Sequence, residues 1–71
     1  MVDIAKPLDV WLRIPDGEDE AEAEANTFRT DGGYRVDWSL NAVGLIRSRT
    51  FGTLADAHAW LEREGFADYT S

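Results

Sequence analysis

Tyr34-Arg35-Val36-Asp37-Trp38-Ser39-Leu40 alternates without a break. Tyr34, Val36, Trp38 and Leu40 fall on one face and Arg35, Asp37 and Ser39 on the other. This is the period of a half-buried strand. Residues 41–44 supply a turn, and Leu45-Ile46-Arg47-Ser48-Arg49-Thr50-Phe51 returns as a second strand. Next comes Thr53-Leu54-Ala55-Asp56, a capping-box pattern in which the Thr53 hydroxyl accepts from the Asp56 amide and the Asp56 carboxylate reaches back. A helix is predicted over 54–64, ending at Gly65, because glycine tolerates the left-handed conformation after a helix end. Phe66 then falls where it can touch Leu61. These elements predict an α+β fold of βββα type, with a three- or four-stranded antiparallel sheet packed on one C-terminal helix.

Outward from this frame, the strand before Tyr34 runs from Asn26 to Thr30 and is joined to it through Asp31-Gly32-Gly33. A three-residue loop with one glycine in the left-handed region sets Phe28 inside, opposite Val36, whereas a two-residue loop turns Phe28 out and Arg29 in. On the far side, pairing Leu40 directly with Leu45 puts Arg47 and Arg49 on the core face. Burying unpaired guanidiniums costs on the order of several kcal/mol each. A shift of one residue is therefore expected, with Ile46, Ser48 and Thr50 inward, the arginines outward, and Gly52 letting Phe51 swing back beneath the helix. A further strand over 9–14 places Val10, Leu12 and Ile14 inward and Trp11 and Arg13 outward, and Pro15-Asp16-Gly17 closes it with a turn. The expected core is Val10, Leu12, Phe28, Tyr34, Val36, Trp38, Leu40, Ile46, Phe51, Leu54, Ala57, Trp60, Leu61 and Phe66. Residues 67–71 read as a frayed tail.

Residues 18–25, Glu-Asp-Glu-Ala-Glu-Ala-Glu-Ala, admit more than one conformation. Glutamate and alanine favour helix, but eight residues without a large apolar side chain do not hold one in water. An acidic loop over 15–25 is the expectation. The strict alternation leaves open an extended strand with its alanines inward, and the acidity leaves open a phosphate-mimicking surface.

The chain has 71 residues, one small domain spanning 1–71, with no cysteine and therefore no disulfide or thiolate metal site. One core of this size contributes no more than about 3–5 kcal/mol. No apolar run approaches the ~18 residues of a membrane span and no signal-peptide pattern opens the chain, so a soluble, cytoplasmic protein without a membrane partner is expected. The net charge of −7 is unevenly placed. Residues 1–26 carry eight acids and two bases, and residues 55–71 four acids and one base. The middle, 27–54, carries Arg29, Arg35, Arg47 and Arg49 against Asp31 and Asp37. Overall acidity opposes nucleic-acid binding, yet an arginine-bearing patch is compatible with it. Acidity can equally be an adaptation to a salty cytoplasm.

Nothing in the sequence assembles catalysis. The one histidine, His58, has Asp56 two residues away, and residues two apart on a helix do not face each other. No catalytic residue, metal ligand or cofactor site is expected, and the chain reads as a non-enzyme. What remains is a surface. The sheet face away from the helix is expected to show Trp11, Arg13, Arg35, Asp37, Arg47 and Arg49, residue types favoured in binding hot spots and in phosphate contacts.

The segments TFRTDGGYRVDW, GLIRSRTF and TLADAHAWLERE, within residues 26–64, resemble the arm-type DNA-binding domain at the N-terminus of phage and transposon tyrosine integrases. The resemblance implies that Arg35, Arg47 and Arg49 lie where that family's sheet enters the major groove. The acidic flanks, and the aspartates at 31 and 37, depart from the family's basic character. No recombinase region follows in this chain, so recombinase activity is not expected. Together these readings predict a small, phage-like regulatory or accessory protein that binds another protein through the Arg/Trp face or the acidic loop. The alternative is a double-stranded DNA-binding module using the outer face of the sheet.

Overall fold

A computed structural model describes residues 6–40 and 44–69. Strands β1 (Asp9–Arg13), β2 (Ala23–Thr30), β3 (Gly33–Leu40) and β4 (Ile46–Phe51) are followed by helix α1 (Leu54–Arg63) and a two-residue strand β5 (Ala67–Asp68). All pairings are antiparallel, in the order β4-β3-β2-β1-β5, and α1 packs on one face. The predicted α+β architecture is present, with five strands in place of three or four. The helix is too short and polar to cross a membrane, and no other helix occurs among the described residues.

The helix has a threonine cap and a glycine ending as its sequence specifies, although it closes at Arg63 and, among the described residues, the Asp56 carboxylate does not return the bond to Thr53. Thr53 Oγ1 accepts from the Asp56 amide at 3.1 Å. At the other end Gly65, at φ +90°, donates to Glu62 C=O, and the Phe66 amide donates to Leu61 C=O at 2.9 Å. These are the paired bonds of a Schellman ending, with Glu64 as C-cap. Phe66 is thereby driven into the core beside Leu61. Residues 67 and 68 are not frayed but pair with Leu12 and Trp11.

Directly opposed residues share a face, so three rungs under the helix can be read across the sheet: Trp11–Ala25–Trp38, Asp9–Thr27–Val36 and Arg13–Ala23–Leu40. Ala23, Ala25, Thr27, Val36, Ala57 and Leu61 are fully buried. Burying a leucine of this kind contributes about 1.5–3 kcal/mol. The alternating alanines of the acidic stretch thus enter β2 from Ala23 onward, with Glu24 outside, while residues 18–22 form the connection.

Three strands turn the opposite face from the one expected. Trp11, not Val10 and Leu12, points inward and is 4% exposed, because the alanine opposite leaves room for an indole and the larger apolar surface wins the core. The β2–β3 loop has two residues, with Thr30 opposite Gly33, so Phe28 faces outward under the Arg35 guanidinium and Thr27 faces Val36. Arg29 takes the inward parity without being buried, since it is exposed at the end of its strand. Along β4, Leu40 N–H donates to Leu45 C=O, and Arg47 and Arg49 oppose Trp38 and Val36 on the helix side. The desolvation cost argued against this pairing does not arise, because the helix leaves β4 open from Ile46 to Thr50. Ile46 consequently lies outside the core, 74% exposed, and Phe51 faces inward without a bend. Residues 41–43 of the expected turn lie outside the described residues.

Thr53→Ala should lower stability by about 1 kcal/mol through the lost cap, read as a shift in the denaturation midpoint. Gly33→Ala should cost more, because a Cβ there meets the Phe51 carbonyl oxygen and the backbone φ is +154°. A melt that overlays the parent would refute the β3–β4 packing described here.

Candidate protein-interaction surface

The six residues expected on one outer face are divided among three places. Trp11 is core, and its indole N–H has no partner among the described residues. Arg13 lies on the helix side. Its Nε donates to Glu22 at 2.7 Å, its Nη1 donates to the Glu64 carbonyl at 3.1 Å, and its guanidinium sits 5.1 Å from the Phe66 ring. A cation placed against the last carbonyls of a helix also complements the helix dipole. Arg13 is thus committed to holding the helix end. Arg35 and Asp37 do face outward, but they are bound to each other at 2.9 Å, and Asp37 also accepts from Ser48 at 2.7 Å. Arg47 and Arg49 are on the opposite side of the sheet from this pair. Parity accounts for all of this, since a shift of one residue exchanges the faces of a whole strand.

What the fold does assemble is a strip along β4. Trp60, projecting from the helix, lies 4.8 Å from Trp38 and 5.8 Å from Phe51, centroid to centroid. The Arg49 guanidinium sits 5.4 Å from the Phe51 ring and 5.7 Å from the Trp60 ring. Such stacking contributes about 0.5–1 kcal/mol at an exposed site and fixes the orientation of the guanidinium. Among the described residues, neither Arg47 nor Arg49 has an ion-pair partner, although the chain holds 14 carboxylates. The strip therefore combines oriented, unneutralised positive charge with half-buried aromatic rings. Trp60 and Arg49 were separable in sequence only as a helix flank and a strand residue; their meeting depends on the register of β4.

The outer face has a different character. Leu8, Val10, Leu12, Phe28, Ile46 and Tyr69 stand among Glu24, Asp37 and Arg35, and a shallow depression of about 200 Å³ opens between Glu24, Asn26, Phe28, Asp37 and Ile46. Arg35 is its one arginine among the described residues, and it is paired.

His58 makes a contact that sequence spacing did not reveal. Its Nε2 lies 2.7 Å from Asp9 Oδ2, the same oxygen that accepts from Thr27 Oγ1 at 3.0 Å, and its ring is 5.1 Å from Trp11. The residue types suggest a triad, but the order forbids one. Nucleophilic catalysis needs the imidazole between acid and hydroxyl, whereas here the carboxylate stands between imidazole and hydroxyl, and Thr27 is fully buried. The cluster ties the helix to β1 and β2. No three His, Asp or Glu side chains gather as metal ligands among the described residues.

His58→Ala should lower stability by about 1 kcal/mol by removing one partner of the half-buried Asp9 carboxylate. It should leave partner binding unchanged, because His58 faces β1 and not β4. Unaltered stability in chemical denaturation, or a binding defect in a normally folded variant, would contradict that assignment. Comparison with known proteins finds no match: no family model, no curated protein and no solved structure is similar to this chain.

Proposed function

We propose that the protein is a small non-catalytic accessory or regulatory module that binds another protein along β4, with Arg47, Arg49 and Trp60 as its principal contacts. The observation that carries this reading is the Arg49 guanidinium held over Phe51 and Trp60 on an exposed strand, beside Arg47 and, among the described residues, without a carboxylate to neutralise either. Tryptophan and arginine dominate binding hot spots because each combines a large contact area with a directional polar group. Here their positions are set by stacking before any partner arrives, which lowers the ordering cost of binding.

Double-stranded DNA binding is the second reading. The succession β2-β3-β4-α1 is favourable to it, because these elements carry the segments that resemble the arm-type domain. Against it stands the outer face, where Arg35 is paired with Asp37 and Glu24 lies further along the same face, while Arg47 and Arg49 project to the helix side. A sheet entering a groove through that face meets phosphate with almost no free positive charge.

The test compares parent and Arg47→Glu/Arg49→Glu in pull-downs from the native host, analysed for protein and nucleic acid. A protein retained by the parent alone is then titrated against single variants. Trp60→Ala or Arg49→Ala should weaken its binding by at least ~2 kcal/mol. The parent should show no measurable DNA binding near physiological salt. A tight DNA complex whose log K falls against log[salt] with a slope of about −3 would overturn the protein-binding reading.

A further inference from the structure

Among the described residues, one side of the β4 backbone is unused. Hydrogen-bonded and non-hydrogen-bonded pairs alternate in an antiparallel ladder. The bond from Leu40 N–H to Leu45 C=O therefore assigns Arg47, Arg49 and Phe51 to β3. Ile46, Ser48 and Thr50 turn their N–H and C=O groups to the open edge. The register is continuous from Ser39–Ile46 to Tyr34–Phe51, and β4 contains no proline. A row of this kind is a template for strand addition.

The side chains restrict what can be added. On an added antiparallel strand, the residues facing Arg47 and Arg49 occupy non-hydrogen-bonded pairs, where opposing Cα atoms come within about 4.5 Å and side chains are closest. A second copy of β4 is disfavoured in the registers that pair most of the strand. Centring the pairing on Ser48 sets Arg47 against Arg49, centring it on Arg47 opposes that residue to itself, and centring it on Arg49 does the same. Like charges directly opposed destabilise a sheet. The chain's own acidic stretch is occupied elsewhere, with Glu22 on Arg13 and Glu24 inside β2. The acidic connection runs from β1 to β2, two to three strand spacings from β4. That is about 10–14 Å and beyond the ~8 Å screening length at physiological salt.

We infer that β4 receives, antiparallel, an extended segment of a partner protein bearing Asp or Glu at two positions i and i+2, which face Arg47 and Arg49. This rests on the protein-binding reading above and gives it a mode and a partner chemistry. The two arginines act in both directions, repelling another copy of the edge and selecting an acidic strand.

The test uses the full chain and a capped seven-residue peptide of valine and threonine with glutamate at positions 3 and 5. Amide hydrogen exchange should show new protection at Ile46, Ser48 and Thr50 and little change at Arg47 and Arg49. Moving the glutamates to positions 3 and 4 splits them between the two faces and should weaken binding about tenfold, the loss of one well-placed charge pair with its packing. N-methylation at peptide position 4 should abolish binding, whereas N-methylation at position 3 should not. Arg47→Glu/Arg49→Glu should reject the glutamate peptide and accept its lysine counterpart, which a merely unfolded variant cannot do. Arg47→Thr/Arg49→Thr should raise self-association in sedimentation. No binding of the glutamate peptide at millimolar concentration, equal binding of the displaced peptide, or a parent already dimeric through β4 would each overturn the inference. If the peptide fails while a native partner binds through Arg49 and Trp60 without protecting the amides of Ile46, Ser48 and Thr50, strand addition falls and protein binding along β4 stands.

Discussion

The rung Trp11–Ala25–Trp38 governs the rest of the molecule. An alanine between two indoles makes a low floor with high walls, and Ala23, one inward position further along, extends it. Into this cluster the helix places Ala57 and Leu61, and its Schellman ending adds Phe66. Because side-chain direction alternates strictly along a strand, an inward Trp11 forces Asp9 and Arg13 to the same side. Both polar groups are satisfied by the element that covers them, Asp9 by His58 and Arg13 by the Glu64 carbonyl. One packing choice thus determines how the helix is anchored at its middle and at its C-terminal end.

The same coupling sets the other side of the sheet. With Trp38 and Val36 inward, the pairing of β4 carries Arg47 and Arg49 to the helix side, where a single helix of ten residues cannot cover a five-stranded sheet. Both side chains stay in water, and the Arg49 guanidinium leans on aromatic rings whose other contacts are in the core. An exposed edge, oriented positive charge and a tryptophan therefore come together as a by-product of how little surface one helix covers. This is the geometry on which the proposed binding role rests.

Acidity and histidine, the two features that most invite a chemical reading, are absorbed by the fold. Glu22 pairs with Arg13, and the alanines of the acidic stretch line the core while Glu24 stays outside. His58, Asp9 and Thr27 form a polar staple between helix and sheet, with the carboxylate in the position that catalysis would reserve for the imidazole.

The helix, its two caps, the faces of β3 and the α+β class are legible in the sequence by itself. Each depends on neighbours within a few residues: Thr53 on the Asp56 amide, Gly65 and Phe66 on the turn before them, Tyr34 to Leu40 on their own alternation. The faces of β1, β2 and β4 were not legible, and with them went the grouping of Trp11, Arg13, Arg35, Asp37, Arg47 and Arg49. Val10-Trp11-Leu12 is apolar at every position and reads equally well in either direction until Ala25 lies opposite. Asp31-Gly32-Gly33 permits loops of two or three residues, and only the packing of Thr27 against Val36 decides between them. For β4 the cost of burying arginine does not arise, because the surface is not buried, and the reach of the helix is a property of the assembled layers. Parity is a binary choice with no local energy attached, so tertiary packing alone could make it.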